Sequence, residues 1–436
     1  MQQLIVEGGV PLRGEMRPGG NKNAALKMIP ACLLTDEPVI LHNVPDILDV
    51  QVMNEIMRSL GADVSWIAER TLRIHAQAIA TTTIEARLAS RLRASIVVAG
   101  PLLGRAGRVE LPLPGGDAIG ERRLDMHVLA LRKLGAAIQY DGGRFIMEAE
   151  RLQGADILLT EASVTATENA IMAAVLAKGT TVIRNAASEP HVQDLCLLLN
   201  ALGARIDGIG SNRIVIEGVD RLHGGEGRVG ADFMEVGSYI GAAVVTGGEI
   251  TIREADPQHL DMIQLTFERL GVHWQTNGAD IIVPPSQRLA IVPDLGNRIP
   301  VIKAQPWPAF PPDLMSIALV IATQSAGAVL FHDWMYESRF FFTDKLARMG
   351  ARITLCDPHR VLVQGPTALH GDTSISSPDI RAGMALLLAA LAARGTTVIS
   401  NVQQIDKGYE RVEQKLTALG ARITRVETQE GPAALP

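Results

Sequence analysis

Residues 179–206 read "GTTVIRNAASEPHVQDLCLLLNALGARI". A glycine turn feeds a short run of β-branched residues, the signature of a strand. After "EP" the apolar positions take helical spacing, and the run stops at "LGA". Gly203 there supplies the left-handed residue that ends a helix, and "ARI" begins another strand. Both words recur along the chain. "LGA" or a close variant returns at Gly61, Gly135, Gly203, Gly271, Gly350 and Gly420, in steps of 74, 68, 68, 79 and 70 residues. The turn-and-strand word precedes each by 23 to 28 residues: "EPVILHNV", "GRVELP", "GTTVIRNA", "GEITIREA", "GAVLFHDW" and "GTTVISNV".

A long internal period of this kind marks a repeated supersecondary module. The strand word follows a first helix, as in "NKNAALKMIPACLL", "SVTATENAIMAAVLAKG" and "SPDIRAGMALLLAALAARG". These helices are apolar nearly all round, so they are expected to be buried and to end at a glycine C-cap. The second helices, such as "DVQVMNEIMRSLG" and "GYERVEQKLTALG", carry a charged face. Six α/β modules predict two domains of three repeats, each threefold pseudosymmetric. The expected division is 21–230 for repeats one to three and 1–20 plus 231–425 for repeats four to six, with 426–436 a tail. "QLIVEGGV" near the start resembles the closing strand "NRIVIEGV", so it is expected to complete the last repeat's sheet.

A net charge of −6 and a pI near 6.0 argue against a nucleic-acid or anionic-membrane binder. Cys32, Cys196 and Cys356 are far apart, odd in number and without metal-ligand spacing, so neither a disulfide framework nor a zinc site is expected. The start lacks the pattern of a signal peptide. The most apolar helical stretch, Met384 to Ala393, is about half the roughly 20 residues a membrane span needs. The expectation is a cytoplasmic protein acting without metal or cofactor, as a monomer or weak homo-oligomer.

Charged and polar residues gather at helix starts. Lys22 and Asn23 follow two glycines, and Arg93 opens "RASIVV". "GERRLDMH" holds Arg122, Arg123, Asp125 and His127. Asp313 lies in "FPPDLMS", Arg339 in "YESRFFF", Asp379 and Arg381 in "SPDIRAG", and Lys407 in "IDKGYER". Helix N-termini carry orphan N–H groups and partial positive charge, so equivalent ends pointing one way would form an anion site for a small, multiply charged molecule. Simpler roles weigh against some of these. Asp379 and Asp313 are at N-cap positions, Lys415 reads as a solvated surface charge, and a lone His127 is more often structural than a ligand. In "LPLPGGDAIG", residues 111–120, Asp117 beside glycine reads first as turn chemistry.

The words "NKNAAL", "LRASIVVAGPLL", "LPGGDAIGERRLDMH", "SVTATEN", "PAFPPDL", "ESRF" and "IDKGYER" together resemble the enolpyruvyl transferases, in the branch that serves peptidoglycan synthesis. The likeness spans essentially the whole chain. It implies a two-domain inside-out α/β barrel, each domain three βαβαββ-type repeats. It implies transfer of the enolpyruvyl group of phosphoenolpyruvate to the 3-hydroxyl of UDP-N-acetylglucosamine, with release of phosphate. Transfer to another acceptor, or a silent copy that only binds a nucleotide sugar, is the alternative.

Under the same resemblance, Lys22, Arg122 and Lys407 would hold the phosphate, and Arg339 and Arg381 the carboxylate, with Asn23 beside them. Asn23, Arg93, Arg122, Arg123, Leu124, Asp125, Met126, Ser163, Asp313 and Met335 would hold the nucleotide sugar. Asp313 would be the base for the hydroxyl, and Asp117 the acid that protonates the phosphoenolpyruvate methylene. Relatives usually carry Cys at Asp117, Arg at Lys407, Gly at Thr165, and Pro-Val at Arg123 and Leu124; some have Lys at Glu161. The missing thiol implies insensitivity to the epoxide antibiotic fosfomycin.

Overall fold

The computed structural model describes residues 2–116 and 123–427. The chain forms two compact units, one of residues 20–116 and 123–230, the other of residues 2–19 and 231–427. Each unit carries three small sheets built on one plan. The strand words become Val39–His42, Arg108–Pro112, Thr180–Arg184, Glu249–Ile252, Gly327–His332 and Thr396–Ser400. In the third repeat, Thr180–Arg184 pairs antiparallel with Arg213–Glu217, which pairs with the edge strand Arg205–Asp207. On its other side it runs parallel to Asp156–Leu158, the strand that leads into the next buried helix. The second repeat has three strands, with a single parallel bridge from Thr83 to Glu110 in place of the fourth.

Three sheets are completed by strands distant in sequence. Gly225–Arg228 lies parallel to Val39–His42, and Arg13–Met16 parallel to Glu249–Ile252. Gln2–Glu7 sits between Thr396–Ser400 and Arg422–Glu427, antiparallel to both. Its alternating burial puts Leu4 and Val6 into the core, as period-two alternation requires.

In the second unit the helices Phe233–Val245, Met315–Gln324 and Ile380–Ala392 pack against one another pairwise at its centre. They are buried nearly all round. The corresponding helices of the first unit are Lys22–Ala31, Ala99–Ala106 and Val164–Ala174. Close approach there depends on Gly100, where a Cβ would fall 2.3 Å from the Asn169 carbonyl oxygen.

The glycine ends of the two helix types differ. The second helices stop at glycines whose φ values are 101°, 98°, 100°, 84°, 102° and 96°, from Gly61 to Gly420. All are left-handed, as the repeated "LGA" requires. The buried helices mostly do not end at a glycine cap, contrary to the sequence expectation. Val164–Ala174 and Ile380–Ala392 end before Gly179 and Gly395, which are turn residues with φ of 93°. The intervening backbone is taken up by the neighbouring repeat: Lys178 N–H donates to Leu152 O and Arg394 N–H to Leu369 O, each at 2.9 Å. Gly107 (φ 70°), after Ala99–Ala106, and Gly247 (φ 64°), after Phe233–Val245, cap their helices in the expected way.

A left-handed asparagine follows three of the inner strands: Asn43, Asn185 and Asn401, with φ of 57°, 56° and 57°. Each donates from Nδ2 to the carbonyl just past the parallel strand, at Val229, Leu159 and Ser377. Asparagine tolerates this backbone region and bonds locally, so the "HN", "RN" and "SN" of the strand words tie strand ends together.

Replacing Gly100 with Ala should push the Ala99–Ala106 helix off Asn169. Stability should fall by about 1–3 kcal/mol, read as a lower urea midpoint with an unchanged m-value.

Candidate active site

In the first unit, the approach to the Lys22–Ala31 helix is set by backbone contact. A Cβ at Gly20 would fall 1.8 Å from the Asn43 carbonyl oxygen, so only glycine fits. Asn21 then caps the helix, its Oδ1 accepting from Ala24 N–H at 3.0 Å. Lys22 follows on the first turn, and its Nζ donates to Asp49 Oδ2 at 2.8 Å in a largely buried pair. Asn23 is half-buried beside it.

Arg93 opens the 3-10 turn Arg93–Val98 and reaches the Arg123 carbonyl at 3.5 Å. Arg123 grips Asp125 with two hydrogen bonds of 2.9 and 3.1 Å, both side chains exposed. Leu124 and Met126 are half-buried, and Met126 Sδ accepts from Thr160 Oγ1. Ser163 precedes the Val164–Ala174 helix, and its carbonyl accepts from both the N–H and the hydroxyl of Thr167. The structure thus groups Arg93 with Arg123 and Asp125. Asp117 and Arg122 lie outside the described residues.

His127 is structural. It is buried between Thr165 Oγ1, 3.0 Å from Nε2, and Asn169 Nδ2, 3.1 Å from Nδ1. Asn169 Oδ1 accepts from Gly100 N–H, which turns its amide nitrogen toward the ring. Nδ1 is therefore the acceptor, and Nε2 carries the proton toward Thr165. Burial, with the nearby Arg93 charge adding, pushes the imidazole down to about 3, so it stays neutral.

In the second unit, three residues spread over 68 positions form one cluster. Asp313 Oδ1 accepts from Arg339 at 3.0 Å, and Asp313 Oδ2 accepts from Arg381 Nε at 3.0 Å. Both arginines are almost fully buried, whereas the Asp313 carboxylate is 27% exposed. Arg339 lies 3.7 Å from the buried Asp333 and 5.0 Å over the Tyr336 ring. Arg381 donates to the Tyr409 hydroxyl at 3.3 Å, and that hydroxyl shares a 2.8 Å hydrogen bond with Ser238. Burial opposes the Arg381 charge. The Asp313 carboxylate, with Tyr409 and Asp232, outweighs burial and pushes its pKa further above the ordinary guanidinium value. Met335 lies next to this cluster in sequence and donates its N–H to Asp333 Oδ1. Lys407 bonds Gln404 Oε1 at 2.7 Å.

Two of the simpler sequence readings separate here. Asp379 is an N-cap, its carboxylate accepting from Arg381 and Ala382 N–H at 2.9 Å. Asp313 lies inside the 3-10 turn Pro312–Leu314, whose cap position is Pro311, and its carboxylate meets the arginines. Lys415 is not a solvated surface charge, because its Nζ lies 2.5 Å from the buried carboxylate of Glu235. That carboxylate needs a cation, and the same group also accepts from Gly19 N–H. Asp49, Asp333, Tyr336 and Tyr409 escaped sequence reading. An acid early in a helix, such as Asp49, and acids and aromatics in loops carry no local sign of a distant cationic partner.

Two buried guanidiniums beside one partly exposed carboxylate have the donors to bind a planar anion, and that carboxylate can accept a proton. In the other unit, a lysine at a capped helix start has the charge and position to take up an anion. The profile of the EPSP synthase (3-phosphoshikimate 1-carboxyvinyltransferase) family matches residues 6–416, and the chain belongs to this family. It is 51% identical to the UDP-N-acetylglucosamine 1-carboxyvinyltransferase of Treponema denticola, over 97% of this chain and 99% of that protein. It is 54% identical to the Bradyrhizobium diazoefficiens protein of the same name, over 97% and 98%. Among solved structures it is similar to the enolpyruvyl transferase NikO from Streptomyces tendae, with a TM-score of 0.86 at 24% identity, covering 98% and 99% of the two chains. An EPSP synthase from Acinetobacter baumannii matches with a TM-score of 0.75 at 17% identity, covering 98% and 100%. Among the described residues, no helix is long and apolar enough to cross a membrane.

The depressed His127 pKa has a defined consequence for stability. The unfolded imidazole, near 6.5, binds its proton before the folded one does. Stability from the neutral ring is therefore complete above pH 6.5 and declines as pH falls from there toward about 3. Urea midpoints across that range should fall with acid, and His127→Gln should flatten part of the slope.

Proposed function

We propose that the chain transfers the enolpyruvyl group of phosphoenolpyruvate to the 3-hydroxyl of UDP-N-acetylglucosamine, releasing phosphate in a step of peptidoglycan synthesis. The observation that carries the reading is Asp313 seated between Arg339 and Arg381, set beside the near-full-length identity to transferases of that name.

Each guanidinium has five N–H donors, and the contacts to Asp313 use one on each. Arg381 gives one more to the Tyr409 hydroxyl, and the donors left over would suit the substrate carboxylate. Lys22, Arg122 and Lys407 would take the phosphate, with Asn23 alongside. Arg93, Arg123, Leu124, Asp125, Met126, Ser163 and Met335 would hold the sugar nucleotide. Asp117 would donate its proton to the methylene carbon of phosphoenolpyruvate, leaving C2 electron-poor. The sugar oxygen would then bond to C2 as its proton passes to Asp313. Return of a methyl proton to Asp117, with the phosphate leaving and taking up the proton held by Asp313, would restore the double bond. The cations would stabilise charge as it develops at the phosphate and carboxylate.

For Asp117 to act as an acid near neutral pH, its pKa must rise above the usual carboxylate value of about 3.9. Burial beneath bound substrate, or the negative charge of that substrate, would do this. Small-molecule substrates and three unpaired cysteines support a reducing, cytoplasmic setting.

The test is phosphate release from phosphoenolpyruvate, measured with UDP-N-acetylglucosamine, with shikimate 3-phosphate and with no acceptor. Release only with the UDP-sugar is expected, and release with shikimate 3-phosphate alone would overturn the acceptor. Asp117→Asn should lower kcat at least a hundredfold while nucleotide-sugar binding persists, within the range of about 10²–10⁴ for a general acid. Fosfomycin should cause no time-dependent loss of activity, since aspartate offers no thiol to alkylate.

A further inference from the structure

One pair of charges in the first unit has no part in the chemistry assigned above. Lys27 Nζ lies 3.4 Å from Glu168 Oε2, and the two side chains are 4% and 0% exposed. A buried ion pair is expensive to desolvate, and apolar side chains of similar volume are commonly as stable. Stability alone does not account for it, whereas its location does suggest a role. Lys27 is four residues after Asn23 on the Lys22–Ala31 helix, so the two share a face. Side chains tilt toward a helix N-terminus, which carries the ammonium up toward the turn bearing Lys22 and Asn23. Glu168 stands in the second turn of the Val164–Ala174 helix, which begins after Ser163. Its neighbour Thr167 is fixed at both ends, donating to Ser163 O and accepting from Ala187 N–H.

We propose that the buried Lys27–Glu168 pair positions Lys22 and Asn23, holding the Lys22–Ala31 helix at one rotation and depth against the helix that starts at Ser163. The proposal rests on Lys22 as a phosphate ligand. Apolar packing attracts without direction, whereas one charge contact in a low-dielectric core selects a single orientation.

The other groups bearing on the pair are Lys22, which lowers Lys27, and Glu189, which acts on both members. The buried Cys196 thiol lies in the field of Glu168. Burial pushes Glu168 up to about 7, with Lys27 opposing and Glu189 adding. As pH falls through that value Glu168 takes up a proton and the ion–ion attraction is lost.

The test is the double variant Lys27→Met/Glu168→Met in the full chain, with Glu168→Gln as a second variant in case the first fails to fold. Thermal unfolding and phosphate-release kinetics with UDP-N-acetylglucosamine would be followed from pH 6 to 9. The double variant should fold with an unfolding temperature at or above the parent's. Its KM for phosphoenolpyruvate should rise about tenfold, with kcat changed far less, a cost in keeping with slight misplacement of a substrate ligand. In the parent, KM should climb as pH falls below about 7 by a component that both variants lack. A folded variant with the parent's KM and the parent's pH profile overturns the positioning role. A parent that releases no phosphate overturns the functional reading beneath it, a result separate from the first.

Discussion

Three sheets among the described residues need a strand that arrives from a distant part of the sequence, and much of the architecture follows from meeting that need. An inner strand such as Thr396–Ser400 exposes N–H and C=O groups on both sides, and unpaired backbone groups are costly to bury. Its own repeat supplies only some of the partners. Gln2–Glu7 supplies the rest in the last sheet, as Arg13–Met16 and Gly225–Arg228 do in two others. The parallel partner also delivers the chain to the start of a buried helix. Backbone pairing within each unit therefore fixes where helix N-termini lie, and so where Ser163 and Arg381 stand.

A second constraint acts on the cations inside the fold. They are partly or wholly removed from water, and each has a carboxylate close by. Lys22 has Asp49, Lys27 has Glu168, Arg339 and Arg381 share Asp313, and Lys415 has Glu235. Removing the counter-charge from a buried cation costs more than the intact pair contributes. The carboxylates are thus what lets these cations stand where water reaches them poorly, and they fix the direction in which each one points.

The fold was largely legible because repetition amplifies weak signals. One "LGA" is an ordinary helix stop, but six in step with six strand words define a module, and its left-handed glycines recur within a narrow range of φ. The buried helices were legible from composition, although their ends were not. Lys178 and Arg394 bond to loops of neighbouring repeats, a contact that no local pattern announces. At the site, residue types at helix starts pointed to Lys22, Asp313, Arg339 and Arg381, and the resemblance supplied their expected roles. The reading of Lys415 as a surface charge failed because an amphipathic pattern cannot reveal that one polar position faces a buried glutamate.

Spacing along the chain determined the period, the alternation of strand and helix, the apolar faces and the residues available for acid, base and anion chemistry. These depend on neighbours a few residues away, which is the range over which backbone geometry is periodic. Tertiary structure alone decided which charges meet. Asp313 finds Arg381 from 68 residues away, Lys27 finds Glu168, and His127 becomes a neutral strut between Thr165 and Asn169. Those pairings depend on distance through space in a medium of low dielectric, where a contact of a few ångströms outweighs any preference written locally.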